Sequence, residues 1–215
     1  MKKRIAIFAL LALLICMLGG CGSEDPLAGI PNPIATIKLS NGKSMRFELF
    51  VQDAPNTVAN FVELAKSGFY DGMRFFRIVP GALVQTGDPN NNGTGNAGYV
   101  IQGEFDANGI ENAIAHTRGT ISMCRQSGYD TASSQFFILQ GNYPEYNGQY
   151  AAFGRAVDAA SLEALDSVAS VLVDSNYSPV GGVAKIESIT VETHGYKYEA
   201  AKMELPKEDE SEKDK

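Results

Sequence analysis

The chain has 215 residues, 44% of them hydrophobic, which is enough for one domain with a substantial core plus appended segments. Its formal net charge is −7, and loss of the three positive charges at residues 2–4 with a leader peptide leaves the mature chain at −10. An acidic chain repels nucleic acid and anionic lipid, so this charge argues against either of them as a binding partner.

Residues 1–20 have the pattern of a signal peptide. A basic start is followed by an unbroken apolar run, Ile5 to Leu18, and then by two glycines. The run is shorter than the roughly 20 residues that a membrane-spanning helix needs. The sequence LGGC at residues 18–21 resembles the lipobox of bacterial lipoproteins, which implies that Cys21 becomes a lipidated N-terminus. The alternative is an ordinary signal peptide followed by a cysteine that is there by chance.

Lipidation of Cys21 predicts where the protein resides. Two acyl chains, such as palmitate, anchor a protein far more firmly than one, so we expect the extracytoplasmic face of a bacterial cell membrane. Residues 21–33, rich in glycine and proline, then form a tether. Cys16 leaves with the leader and Cys21 carries lipid, so Cys124 remains alone and the fold must rest on its hydrophobic core.

The predicted domain, residues 34–195, is mostly β-strand. Residues 34–39 and 45–50 flank Asn41-Gly42, the strongest short hairpin signal. Helical periodicity follows over residues 55–67 and returns over 161–172, where Ser161 is the expected N-cap. Further short strands are expected at residues 119–123, 135–139, 151–156 and 184–192. Many short strands and two helices favour a closed β-barrel capped by the helices. Residues 196–215, almost entirely charged from Met203 onward, are expected to be a disordered tail.

The stretch FFRIVPGALVQTGDP, Phe75 to Pro89, contains the most informative side chains. It reads as apolar strand that ends in a Gly-Asp-Pro turn. Arg77, Leu83 and Gln85 share a parity, and side chains alternate along a strand, so they should lie on one sheet face. A cation, an aliphatic side chain and an amide on one face form a surface that can hold a peptide.

Other candidate motifs carry less weight. Gly93 to Gly98 matches GxGxxG, but YVIQGEF follows it rather than a helical pattern, so a loop is favoured over a dinucleotide site. His116 and His194 lie far apart without a Cys, Asp or Glu cluster at ligand spacing, so neither a metal nor a cofactor is expected. Ser133 and Ser134 lack a nucleophile elbow and a base, which argues against a serine hydrolase.

Six segments in order, ANFVELAKSGFYDG, FFRIVPGALVQTGDP, GYVIQGEF, HTRGTISM, SSQFFI and NGQYAAFGRA, resemble the cyclophilins, the β-barrel peptidyl-prolyl isomerases. The resemblance covers nearly all of residues 34–193. It implies a closed eight-stranded antiparallel barrel with a helix at each end, acting as a monomer without cofactor. Its partners are then proline-containing unfolded or exported polypeptides, and a structural role is implied for His116.

Site residues follow from the same resemblance. The family's catalytic arginine falls on Arg77 and its groove glutamine on Gln85, while the proline-ring pocket falls on Leu83 and Phe137. The remaining residues that the resemblance assigns to substrate binding are Phe76, Met123, Cys124, Arg125, Gln135, Tyr146 and Tyr150.

Two positions depart from the family pattern. Ala82 stands where these proteins usually carry phenylalanine, and Glu145 stands where cyclosporin-sensitive members carry tryptophan. Loss of the phenylalanine removes on the order of 1–3 kcal/mol of burial against a proline ring. Ala82 therefore raises the alternative of a lipid-anchored peptide-binding or chaperone module with weak or no catalysis. A solute-binding lipoprotein is disfavoured, because the chain is too short for two lobes.

Overall fold

A computed structural model describes residues 29–182 and 185–206. Contacts divide the chain into Met1–Ile30 and a second compact unit, Pro31–Lys215, whose described part is the domain discussed below. The predicted signal peptide, Cys21 and residues 207–215 lie outside the described residues. Within the described ranges, no helix combines the length and the apolar character that a membrane span requires.

Eight strands form one antiparallel sheet in the order β3-β4-β6-β5-β7-β2-β1-β8. Two helices accompany the sheet, α1 (Pro55–Lys66) and α2 (Ala159–Ala169). The strands are β1 (Ile34–Leu39), β2 (Ser44–Leu49), β3 (Arg77–Val79), β4 (Leu83–Thr86), β5 (Thr120–Met123), β6 (Phe136–Leu139), β7 (Ala152–Ala156) and β8 (Ile186–Glu192). The predicted mainly β fold with eight antiparallel strands and two helices is confirmed.

The prediction of a closed barrel is wrong. The sheet curls but has two edges, β3 and β8. The segment before β3 meets the start of β8 through an isolated bridge between Arg74 and Lys185 and two hydrogen bonds of Ile186, but β3 itself does not pair with β8. The reason lies in β3, which has only three residues. Its Ile78 N–H donates to the carbonyl of Tyr177 in the loop before β8, at 2.8 Å, so this edge is paired with a loop and not with a strand.

The β1–β2 hairpin has side chains that alternate between the core and the solvent. Its inward side chains are fully buried, whereas Arg46 and Glu48 point away from the core. Gly42 takes φ = 81° in the turn, a left-handed conformation that glycine adopts without a steric cost. The inward set is Ala35, Ile37, Leu39, Met45, Phe47 and Leu49.

Helix α1 begins at a proline, and a distant carboxylate completes its N-terminus. Ala54 at the N-cap makes no side-chain hydrogen bond. Instead the buried Glu104 accepts hydrogen bonds from the backbone N–H groups of Asn56 at 2.9 Å and Thr57 at 2.7 Å. A carboxylate at this position satisfies exposed donors and suits the positive end of the helix dipole.

Helix α2 begins earlier than predicted. Asp158, and not Ser161, is the N-cap, and its carboxylate accepts from the Ser161 backbone N–H at 2.8 Å and hydroxyl at 2.6 Å. These hydrogen bonds hold the pKa of Asp158 below its usual value. The Ser161 hydroxyl is turned toward β2, where it accepts from the backbone N–H of Arg46 at 2.9 Å. It therefore joins the helix to the sheet.

Aromatic rings fill the centre of the core. Phe61 of α1 lies 5.3 to 5.5 Å, centroid to centroid, from the rings of Tyr70, Phe136 and Phe153. All four side chains are fully buried. This cluster attaches α1 to the concave face of the sheet and leaves the opposite face of β4 and β6 available for binding.

The chain after β8 corrects a second expectation. Residues 196–206 pack on the domain instead of belonging to a disordered tail: Tyr198 is buried, and Met203 forms a bridge with Val100. Uncharged side chains between the charges, such as Tyr196 and Tyr198 with ring centroids 4.7 Å apart, explain why the segment is ordered.

Candidate active site

The β3–β4 hairpin places a cation and an amide side by side. Arg77 on β3 is paired directly with Gln85 on β4, and Gln85 is paired in turn with Phe137 on β6. Paired residues of an antiparallel sheet project from the same face. The three predicted residues therefore form one row across the sheet, and the Arg77 guanidinium donates to the Gln85 amide oxygen at 3.2 Å.

A chain of amides continues from this pair. Gln85 Nε2 donates to Gln135 Oε1 at 3.0 Å, and Gln135 Nε2 donates to the carbonyls of Gly93 at 3.0 Å and Gly95 at 2.8 Å. These contacts fix the orientation of both amides, because each nitrogen must face an acceptor. As a result, the Gln85 oxygen is directed at Arg77.

The guanidinium of Arg77 remains available to a ligand. It is half-buried, and across residues 29–182 and 185–206 no carboxylate lies within salt-bridge distance of it. One of its five N–H groups serves Gln85 in the described residues. The site thus holds a positioned cation with unused donors.

An apolar cluster lies on the same face of the sheet as the guanidinium. Leu83 and Phe137 are buried in one cluster with Ala82 and Leu139. Around Phe137 stand two tyrosine rings, Tyr146 at 5.9 Å and Tyr150 at 5.6 Å, each nearly perpendicular to it. Edge-to-face geometry is the arrangement that aromatic quadrupoles prefer. The structure brings the two residues predicted for the proline-ring pocket, Leu83 and Phe137, together with the predicted substrate-binding residues Tyr146 and Tyr150.

Tyr143 occupies space beside Ala82, the position that departs from the family pattern. Its ring packs against the cluster that contains Ala82 and stacks on Tyr146 with centroids 5.5 Å apart. Its hydroxyl donates to the carbonyl of Gly81, the residue before Ala82, at 3.4 Å. An aromatic wall is therefore retained, although a different part of the chain supplies it.

His116 supports this wall from within. Its ring stacks on Phe137 at 6.3 Å, and its two nitrogens lie 3.1 Å from Asn147 Oδ1 and 3.0 Å from the Ser122 hydroxyl. Burial lowers the pKa of His116, which opposes protonation at neutral pH. The backbone carbonyl of His116 also accepts from the N–H of Tyr143 at 2.9 Å. These contacts are those of a residue that positions the tyrosines.

Cys124 and Arg125 continue the groove beyond β5. Burial raises the pKa of the Cys124 thiol to about 12, although the charge of Arg77 opposes that rise. The thiol is therefore protonated at neutral pH and is a poor nucleophile. The Arg125 guanidinium lies 5.0 Å from the centre of the Tyr150 ring and donates from Nε to the carbonyl of Gln149 at 3.0 Å.

Two predicted site residues lie elsewhere. Met123 is paired with Phe136, and its side chain is 1% exposed, so it lies on the core face and does not line the groove. All four residues of β5 are buried, which removes the alternation that would have shown this orientation. Phe76 is also buried, and its ring lies under the loop at Gly93, where an added Cβ would stand 3.7 Å from the ring.

The glycine-rich loop is not a dinucleotide site. The Asp88 carboxylate accepts from the backbone N–H groups of Asn90, Asn92 and Gly93 at 2.8, 2.9 and 2.5 Å, and residues 99–105, which follow the loop directly, are not helical.

Beside this loop is a cavity of about 460 Å³. Gln85, Gln135 and Arg125 lie along it, together with Leu205 and Pro206 from the C-terminal segment. The groove therefore extends past Gln135.

Sequence reasoning missed Tyr177. Its ring centre lies 6.0 Å from the Arg77 guanidinium carbon, and its backbone has φ = 62°, a conformation that is rare for an aromatic residue. Strained residues cluster at functional sites. No pattern in the sequence signals this contact, because Tyr177 lies 100 residues after Arg77 in a loop without periodicity.

The class that the fold and the site define is an antiparallel β-sheet protein whose outer face carries a guanidinium beside an aromatic cluster. The family model for "Cyclophilin type peptidyl-prolyl cis-trans isomerase/CLD" matches residues 34–191. The chain belongs to this family and is a peptidyl-prolyl cis-trans isomerase.

Individual relatives agree with this assignment. A peptidyl-prolyl cis-trans isomerase of Helicobacter pylori is 42% identical over 134 residues, which cover 62% of this chain and 78% of that protein. Isomerase B of Bacillus subtilis is 44% identical over 117 residues, covering 54% and 78%. The crystal structure of a cyclophilin-type isomerase of Cryptosporidium parvum superposes with a TM-score of 0.67 at 28% identity, over 75% of this chain and 98% of that one. A second structure of that protein, in the presence of the dipeptide Ala-Pro, gives 0.65.

Proposed function

We propose that this isomerase assists the folding of exported proteins at the outer face of a bacterial membrane, where Cys21 anchors it, and that Arg77 is its catalytic residue. The observation that carries the catalytic part is the row formed by Arg77, Gln85 and Phe137, in which a guanidinium without a carboxylate partner in residues 29–182 and 185–206 lies beside an apolar cluster. The signal sequence and the lipobox-like LGGC at residues 18–21 support the location.

The chemical task is rotation about an amide bond. The bond before proline has cis and trans forms of similar energy, separated by a barrier of roughly 20 kcal/mol that comes from amide resonance. Unaided rotation takes tens of seconds. In the twisted state, resonance is broken, and the prolyl nitrogen becomes pyramidal and gains a lone pair. An enzyme accelerates this rotation by stabilising the twisted state more than either planar form.

Arg77 supplies that differential stabilisation. Its guanidinium donates to the prolyl nitrogen only while a lone pair is present there, so the hydrogen bond forms in the twisted state and is absent in the planar ones. Gln85 holds one side of the guanidinium at 3.2 Å and keeps the remaining donors directed into the groove. Arginine suits this role because its fork is rigid and always charged. No proton transfer is needed.

The aromatic pocket holds the proline ring while the rest of the peptide turns. Phe137 and Leu83 provide the apolar contact surface, and the Tyr146 and Tyr150 rings border it. With the ring fixed, rotation moves the acyl side of the bond relative to Arg77. Contacts that are equal in the planar and twisted states affect KM, whereas the contact to Arg77 affects kcat.

Replacement of Arg77 tests the catalytic proposal. On the unit of residues 31–215, Arg77→Ala should lower kcat/KM for an Xaa-Pro peptide by roughly a hundredfold or more, the usual effect of losing one preorganised donor. Arg155→Ala is the matched control, since Arg155 is exposed on β7 and, among the residues that the structure describes, its guanidinium donates a hydrogen bond only to the carbonyl of Ala115. Unchanged turnover in Arg77→Ala removes that residue from the mechanism. Efficient turnover by the unmodified chain excludes a binding-only module.

Replacement of Cys21 tests the location. In a bacterial host, the full chain should incorporate labelled palmitate and sediment with membranes, whereas Cys21→Ser should do neither. Cys124→Ser is the control that keeps the lipidation sequence intact. Equal labelling and sedimentation of the wild type and Cys21→Ser contradict the proposed anchor.

A further inference from the structure

The chain beyond residue 191, where the family match ends, returns to the substrate groove. After β8 it runs along α1 from the C-terminal end of the helix toward its N-terminus. Glu63 accepts from the backbone N–H of Ala200 at 3.0 Å and pairs with Lys202 at 2.6 Å. About two turns nearer the N-terminus of the helix, Asn56 exchanges two hydrogen bonds with the backbone of Ala201, at 3.1 and 2.7 Å.

The segment then joins the glycine-rich loop region. Met203 and Val100 exchange two backbone hydrogen bonds of 2.8 and 3.0 Å, which is the pairing of a short antiparallel bridge. The ammonium of Lys202 lies 4.9 Å from the centre of the Tyr99 ring, within the range of a cation–π contact. The chain just before Leu205 is therefore held at Lys202 and at Met203 and has a defined direction.

Leu205 and Pro206 form one wall of the cavity that adjoins Gln85 and Gln135. Leu205 is 43% exposed, so it presents apolar surface to whatever enters. Most of the other side chains along the cavity are polar, including Thr94, Asn96 and Thr131. A peptide whose proline sits at Phe137 and whose backbone passes Gln135 places a neighbouring side chain against this wall.

We propose that the C-terminal segment, residues 196–206, is a specificity-determining part of the isomerase groove, in which Leu205 and Pro206 select peptides with an apolar side chain at the position that reaches the cavity. This inference rests on the proposed function, because it takes the row of Arg77, Gln85 and Phe137 as the place where the prolyl bond turns.

Two truncated chains test the role of Leu205 and Pro206 separately from that of the residues after them. A chain that ends at Pro206 loses only residues 207–215, whereas a chain that ends at Glu204 also loses Leu205 and Pro206. The probe is a set of Xaa-Pro peptides in which each residue within three positions of the proline is in turn leucine or asparagine. Burial of part of one leucine side chain predicts a preference of about five- to tenfold in kcat/KM for leucine at one position.

The chain that ends at Pro206 should keep this preference, and the chain that ends at Glu204 should lose it. Leu205→Ser in the full chain should reduce the preference as well, without any change in chain length. The inference is overturned if all these forms are active and show the same ratio of kcat/KM for the leucine peptide to kcat/KM for the asparagine peptide. A uniform rise in kcat/KM for every peptide after truncation also overturns it, since that result shows that the segment blocks the groove and does not select among peptides. Absence of turnover in every form, the full chain included, refutes the proposed function instead.

Discussion

A change of Gln85 to glutamate tests whether catalysis depends on an Arg77 guanidinium that has no carboxylate beside it. In Gln85→Glu, a carboxylate replaces the amide oxygen that lies 3.2 Å from the Arg77 nitrogen. The geometry of the hairpin is retained, because Arg77 and Gln85 are directly paired. The new charge pairs with the guanidinium in the free enzyme and competes with the prolyl nitrogen for it.

The magnitude follows from the distance. Two unit charges at 3.2 Å interact by about 5 kcal/mol at an effective dielectric constant near 20. Both side chains are half-buried, so solvent reduces this value, and the part that opposes donation to the twisted amide is on the order of 1.5–3 kcal/mol. Such a loss lowers kcat by roughly 10- to 100-fold.

The assay is catalysed cis/trans exchange of an Xaa-Pro peptide, with kcat and KM determined separately. Gln102→Glu is the matched control, because Gln102 is exposed and gains the same charge away from the groove. The expected result is a fall in kcat with KM changed by less than a few fold. A fall confined to KM, or equal activity of the two variants, would refute the role of an unpaired guanidinium.

Two further predictions concern stability and reactivity. Glu104→Gln should lower the free energy of unfolding, measured by urea denaturation, by about 1–3 kcal/mol. The reason is that an amide cannot accept all three hydrogen bonds that the carboxylate receives from Asn56 and Thr57. An unchanged urea midpoint contradicts this capping role. Cys124 should react with iodoacetamide at pH 8 at least tenfold more slowly in the folded protein than in urea. Its folded pKa of about 12 lies above the ordinary value of 9.0, so the folded thiol stays protonated over the pH range in which the unfolded thiol ionises. Equal rates in both states contradict a raised pKa.

Much of the architecture could be predicted from side-chain alternation. The β1–β2 hairpin lies within one residue of its predicted position, because its alternating buried and exposed side chains are visible in the sequence. The prediction of a single strand from Phe75 is wrong, because a turn divides this stretch into β3 and β4, but antiparallel pairing still places Arg77, Leu83 and Gln85 on one face. The buried and exposed faces determine register, and register places Phe137 beside Gln85.

The remaining features depend on long-range partners that alternation does not encode. The barrel stays open because the Ile78 N–H is satisfied by Tyr177, about a hundred residues away. Every residue of β5 is buried, so no alternation in the sequence distinguishes the core-facing Met123 from a groove residue. The charged sequence from Met203 onward predicts a disordered tail, but Glu63 and Asn56 on α1 provide the partners that order residues 196–206.

The alignment of Arg77, Gln85 and Phe137 across three strands makes the enzyme sensitive to sliding of those strands. A slip of β4 by one residue would turn Gln85 inward and bring the buried Val84 out to the groove. The same slip of β4 would thus remove buried side chains from the core and separate Gln85 from Arg77. Turnover of a proline peptide consequently reports whether these strands have paired in the native register. A refolding chain should regain turnover at the same rate as it buries its hydrophobic interior.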